Sequence, residues 1–250
     1  MKTALHNDLV SIAAKLVHCT KQTGKGFDPD TIHKLRTGFK KFRALLRWQG
    51  TGKKVYNDFK KIYGQAGAIR NLQVAQQILK EESFTSAAFN DWIMGRLARL
   101  KKEWDRTDHK SPEKQLLQAT KNVEIIFSKR NNFFEKKIKK IRQVITDAVI
   151  TDNSIHECRK AMKDIQYVCA YCEKKNIIFR SIKKIPVQQI KAIAEQVGAY
   201  NDQCLLINLL ENFTVGKILS VTQANMLDIW EKKRSIIRKV LISNIRHLKW

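Results

Sequence analysis

Three prolines and ten glycines in 250 residues leave little material for tight turns. That scarcity argues against a β-rich fold built on many hairpins. No stretch approaches the roughly 18 uninterrupted apolar residues that a bilayer span needs. The opening MKTALHNDLVSIAAKLV is not expected to be a signal peptide, because His6, Asn7 and Asp8 interrupt its apolar run and Lys15 follows. Cysteine is sparse and odd in number: Cys19, Cys158, Cys169, Cys172 and Cys204. This predicts a reduced, cytoplasmic protein and no disulfide scaffold. Acidic residues are the largest deficit, 23 against 48 Lys and Arg, for a net charge of +25. Such self-repulsion opposes compaction, and a polyanionic partner would relieve it.

Against these absences stands a helical periodicity along almost the whole chain, so the fold class expected is all-α. Leu5, Leu9, Ile12 and Leu16 predict a helix over about 3–19. Asp28 and Pro29 then supply an N-cap and a first helical residue for a helix reaching Trp48, where QGTGK stops it. Further helices are predicted over 55–79, with Gly64 and Gly67 at a bend or close crossing, and over 84–106. RTDHKSPEK is the best internal boundary, with Ser111 before Pro112 as a helix start. Helical patterns follow to about Ala148. Ser154 and Glu157 stand at capping-box spacing for a helix to Lys174. Pro186 opens one to about Leu210, and a last helix runs to Trp250. Roughly eight helices result, four on each side of residue ~110.

The chain repeats itself. Ile32-His33-Lys34-Leu35-Arg36 returns as Ile155-His156-Glu157-Cys158-Arg159, 123 residues further along. Gly67-Ala68-Ile69-Arg70-Asn71 and Gly198-Ala199-Tyr200-Asn201-Asp202 follow the two in the same order. At about 100° per residue, Arg36, Lys40, Arg43 and Arg47 fall beside His33 within an arc of roughly 80°. Ile32, Leu35, Phe39, Phe42 and Leu46 occupy the adjoining, core-facing arc. In the second copy His156, Arg159, Lys160 and Lys163 cluster with Tyr167, and Ile155, Cys158, Met162, Ile165 and Cys169 form the core side. A cationic stripe along the edge of a packed face would line a groove against a neighbour. Any single cation in it is also explained by a solvated helix face; the repeated pattern is not.

These motifs resemble the CHAD domain, the conserved-histidine α-helical domain. The resemblance implies two pseudo-two-fold-related four-helix bundles (1–110 and 111–250) in one compact unit of residues 1–250, with a basic groove. It also implies non-catalytic binding of inorganic polyphosphate, and hence association with polyphosphate granules. This sequence departs from the family pattern at Asp164 and Gln166, where basic residues are usual, and at Asn71 and Gln73, where aspartates are favoured. Lys40 and Lys41 replace typical arginines and lose the bidentate fork. The first half is therefore expected to carry more of the site.

The candidate polyphosphate-binding residues are His33, Arg36, Lys40, Lys41, Arg43, Arg47, His156, Arg159, Lys160 and Lys163. A phosphate polymer offers no base, sugar or groove, so its recognition needs donors aligned along a track. The two histidines stand near helix starts, where free amides and the helix dipole favour anions. Arg96, Arg99, Lys102 and Arg106, the run Lys136, Lys137, Lys139, Lys140 and Arg142, and Lys232, Lys233 and Arg234 are read as peripheral.

No catalytic constellation competes with this reading. Cys169-Ala-Tyr-Cys172 is a lone C-x-x-C on the apolar side, with no second pair. His156-Glu157 opens an H-E-x-x pattern that ends on Lys160 and fails as a zinc motif. There is no phosphate-binding P-loop, carboxylate cluster or nucleophile elbow, so no metal or cofactor is expected. RNA or DNA remains the alternative partner, since the charge permits it equally, although the stripes carry few exposed aromatics for stacking.

Overall fold

The computed structural model describes residues 2–50, 53–82, 86–123, 131–177 and 185–248. Nine α-helices and no strand are present among the described residues. They are α1 (Lys2–Thr23), α2 (Pro29–Trp48), α3 (Phe59–Glu81), α4 (Ala87–Arg106), α5 (Lys110–Lys121), α6 (Asn131–Thr146), α7 (Asp152–Lys174), α8 (Val187–Thr214) and α9 (Val221–Arg246). The all-α expectation holds. Phe84, the stretch 124–130 and Trp250, which periodicity assigned to helices, lie outside the described residues.

The start of α2 is where the sequence puts it. The Asp28 carboxylate accepts from the Thr31 amide at 2.8 Å, and Pro29 is the first helical residue. Its end is set by Gly50, whose φ of 71° is the left-handed conformation that glycine adopts freely. Two other starts differ from the sequence reading. Asp108, not Ser111, caps α5, accepting from the amides of Lys110 at 2.9 Å and Ser111 at 3.4 Å. Thr151, not Ser154, caps α7 at 3.1 Å, while Glu157 turns to Lys160. In both cases a cap one turn earlier in the chain reaches the free amides first. The predicted helix from Val55 is a short 3-10 turn at Lys53–Tyr56 followed by α3.

Helices adjacent in sequence pack as neighbours: α1 on α2, α2 on α3, α3 on α4, and likewise α6 on α7, α7 on α8, α8 on α9. Helix α5 lies against α1, the 3-10 turn and α3. The contacts that position the site cross the middle of the chain. Helix α2 packs on α7 and α3 packs on α8, so the four repeat-bearing helices meet. Beneath them lie the apolar arcs read from the periodicity. Ile32, Leu35, Phe39, Phe42 and Leu46 are fully buried, as are Ile155, Cys158, Met162 and Ile165. Phe89 extends the same core, with its ring 5.5 Å from Phe213 and 6.4 Å from Trp230. Burying such side chains contributes about 1.5–3 kcal/mol each, which offsets the charge repulsion the same helices carry.

Candidate functional site

His33 and His156 occupy the same place in their helices, the fifth residue of α2 and of α7. Both are exposed on the turn after the cap. The amides of Ile32 and Ile155 are already bonded, to the carbonyls of Asp28 at 3.1 Å and Thr151 at 3.0 Å. Those two amides are therefore not free helix-end donors, and what each histidine presents to solvent is its imidazole. Partial desolvation of the rings by the neighbouring helices pushes both imidazole pKa values down. Arg70, Lys40 and Arg36 add to this at His33; Lys160, Arg159 and Lys40 add to it at His156.

The two motif arginines repeat each other in space. Arg36 Nη1 donates to the carbonyl of Tyr63 at 3.4 Å, and Arg159 Nε donates to the carbonyl of Ala194 at 3.4 Å. Each of those carbonyls belongs to the residue four positions before the repeat glycine, Gly67 on α3 and Gly198 on α8. A Cβ built at Gly67 would collide with the Arg36 guanidinium; one built at Gly198 would stand 3.6 Å from Arg159 Nη2. The glycines are the floor over which the arginines cross. Gly64 has nothing within 4 Å, so the close crossing belongs to Gly67 alone of the pair.

Lys40 is where the stripes converge. Burial, then the charges of Arg36, Arg159, Lys163 and Arg43, bring its pKa down to about 8. Two of those cations come from α2 and two from α7. Burial likewise lowers Lys163, with Arg159 and Lys191 as the nearby cations and Glu195 opposing them. The Arg43 guanidinium lies 5.5 Å from the Phe39 ring and 5.6 Å from the Tyr63 ring, and its Nε is buried without an acceptor. Arg36 sits 4.9 Å from the same Tyr63 ring. Tyr63 thus has two guanidiniums beside its ring, 4.9 Å and 5.6 Å from its centre.

Not every candidate joins this cluster. Arg47 is diverted: its Nη1 donates to Asp164 at 2.8 Å, and Lys137 of α6 donates to the same oxygen at 2.5 Å. Asp164 therefore ties down one end of the stripe. Lys160 is exposed and pairs with Glu157 at 2.6 Å. Lys41 is exposed one position out of phase, about 100° around α2 from Lys40. Gln73 donates to the Phe27 carbonyl at 2.7 Å, a structural bond.

Sequence reasoning missed three residues near the cluster. Arg70 acts on His33 and Arg36, Tyr63 underlies two arginines, and Asp202 lies in electrostatic reach of Arg159, Arg70 and Lys40. Arg70 and Asp202 stand inside the two glycine segments, so the signal was present. Of the peripheral cations, Arg96, Arg99, Lys102 and Arg106 are exposed, and Lys232 and Lys233 pair with Asp228 and Glu82.

Burial raises the thiol pKa of Cys158 and Cys169 to about 12, which leaves them protonated. None of the five cysteines is in a disulfide. Among the described residues no group of three or more His, Cys, Asp or Glu side chains could hold a metal. No helix among them is long and apolar enough to cross a membrane.

The family model of the CHAD domain matches residues 11–211, the span that contains both arginine–glycine crossings. The chain belongs to the CHAD domain family. Its fold is similar to the crystal structure of the CHAD domain from the plant Ricinus communis, with a TM-score of 0.61. That likeness covers 98% of this chain and 92% of the plant domain at 14% identity, so it speaks for the fold. No curated protein matches the chain in sequence. Within a CHAD domain the I-H-x-x-R helices and the glycine helices are thus seen here as two crossing pairs, α2 on α3 and α7 on α8.

Proposed function

We propose that this CHAD domain binds inorganic polyphosphate along the cationic seam between α2 and α7, without chemistry of its own. The observation that carries the reading is the environment of Lys40, an ammonium crowded by four cations from two helices. A site that brings like charges together at the cost of a lowered pKa is matched by a ligand of opposite charge. His33, Arg36, Lys40 and Arg43 from α2, with His156, Arg159 and Lys163 from α7, would contact the polymer. Arg70 joins them from α3, and Lys41 and Lys160 contribute at the edges, while Arg47 is held away from the polymer by Asp164. The association of the family with polyphosphate supports this assignment, and recruitment to polyphosphate granules would follow from it.

Nucleic acid is the weaker reading. Of the aromatic rings near the seam, Tyr63 has two guanidiniums against it and Tyr167 is half-buried beside Arg159, so little ring face is left for a base to stack on. The test is a titration with long-chain polyphosphate against single-stranded RNA at equal charge concentration, in moderate salt. Tighter polyphosphate binding, unchanged by EDTA, is expected. Preference for RNA would reverse the order of the two readings, and loss of affinity in EDTA would replace a cationic site with a metal-bridged one.

A further inference from the structure

Beyond the seam, α2 and α6 enclose a second basic concavity. It is a cleft of about 620 Å³ lined by Arg47 and Gly50 at the end of α2 and by Asn132, Phe133, Lys136, Lys137 and Lys140 of α6. Four cations border it. Asp164, with a side chain only 7% exposed, takes one bond from Arg47 and one from Lys137. Glu157, the other carboxylate in reach of Lys140, is held by Lys160 at 2.6 Å.

The buried carboxylate does two things here. It offsets one of the four charges, and it fixes the two half-buried cations so that a ligand need not order them. It does not exhaust them. A guanidinium has five N–H donors and an ammonium three, and Asp164 uses one of each. Lys136 and Lys140 stand one helical turn apart on α6 and are exposed. Phe133, 6% exposed, supplies an apolar wall. The volume falls in the range of small-molecule pockets, roughly 300–1,000 Å³, and not of a polymer track.

We infer that this cleft is an anion site separate from the α2–α7 seam, made for a small molecule carrying two or three linked phosphates. Such a group brings three or four negative charges to the three left uncompensated, and the Phe133 wall can accept the body of an organic phosphate. The inference does not rest on the polyphosphate reading.

Calorimetric titration with inorganic tripolyphosphate tests it in four proteins. These are the unaltered chain, a seam variant Arg36→Ala/Lys40→Ala, a cleft variant Lys136→Glu/Lys140→Glu, and a charge-matched control Lys102→Glu/Lys239→Glu. The seam variant should keep one saturable site. The cleft substitutions placed in that background should weaken it at least tenfold, and the control pair in the same background only about twofold. ATP in the same titration identifies the source. Tighter binding of ATP than of tripolyphosphate, lost in Phe133→Leu, assigns an organic phosphate; equal or weaker binding assigns an inorganic one. A flat titration of the seam variant overturns the inference, as does a cleft variant no weaker than the control.

Discussion

Arg36 crosses Gly67 so closely that no side chain can stand between them. The guanidinium bonds the Tyr63 carbonyl just beyond, and Arg159 repeats the arrangement above Gly198 with more room. The position of Arg36 is thus decided by the absence of a side chain on the helix it crosses, whereas Arg159 would leave room for a Cβ at ordinary contact distance.

Gly67→Ala should separate binding from stability. The atom in the way is the far end of a flexible side chain, and alanine improves helix propensity by about 1 kcal/mol, so thermal unfolding should shift little. Polyphosphate affinity should fall about tenfold as Arg36 is displaced. Gly198→Ala should change affinity less than threefold. Equal losses in the two proteins would remove Arg36 from the site.

Position should matter more than charge count. Arg36→Ala/Lys40→Ala/Arg43→Ala and Lys232→Ala/Lys233→Ala/Arg234→Ala each remove three cations. Charge-assisted contacts in a partly dry site contribute about 1.5–3 kcal/mol each, and far less on an open surface. The first protein should lose on the order of a hundredfold in polyphosphate affinity, with a shallower salt dependence. The second should lose a few-fold. Circular dichroism should show both helical. Equal weakening would mean that a diffuse field binds the polymer.

Lys40 makes a pH prediction with a definite sign. Its folded pKa of about 8 lies below the ordinary lysine value of 10.5. Between those values the unfolded chain holds more protons, so this group makes the free protein more stable as pH rises from 8 to 10.5. A polyanion favours the charged form, so affinity should fall as pH rises through 8. Binding at pH 8.5 should take up protons, seen as a heat that varies with buffer ionisation enthalpy. Lys40→Arg should reduce the uptake there, leaving only what Lys163, whose pKa is also lowered, contributes. His33 and His156, whose pKa values are lowered, should add a separate uptake on the acid side of the ordinary histidine range.

Removing Asp164 should destabilise the fold. Asp164→Asn leaves Arg47 and Lys137 side by side without their carboxylate. Breaking a buried pair in this way costs about 3–5 kcal/mol, reduced here to about 1–3 because Arg47 is one-third exposed. Urea unfolding should show the loss, and adding Lys137→Met should restore part of it.

The helices of the site were legible because their signals are local. Asp28 and Pro29 fix the start of α2, and the apolar arcs of α2 and α7 alternate with cations at the spacing of a helix edge. Phase also sets Lys41 apart from Lys40. What was illegible comes from other elements. Helical phase puts Arg47 in the stripe but says nothing of Asp164 or Lys137, which approach from α7 and α6. Tyr63 and Arg70 arrive on α3, and nothing in their own spacing announces two arginines lying against one ring. The caps of α5 and α7 failed for a smaller reason: an acceptor one turn earlier satisfied the same amides.

The packing of α2 on α7 has a kinetic consequence. Its two histidine motifs are 123 residues apart, so this seam is a non-local contact whose loop closes late. Until it closes, Trp48 lacks the Tyr171 ring that it packs against at 6.1 Å, while the cations of the two stripes push the helices apart. A polyanion present during synthesis would bridge the two stripes before the apolar faces meet. It would then act as a folding template, speeding closure of the seam proposed to bind it.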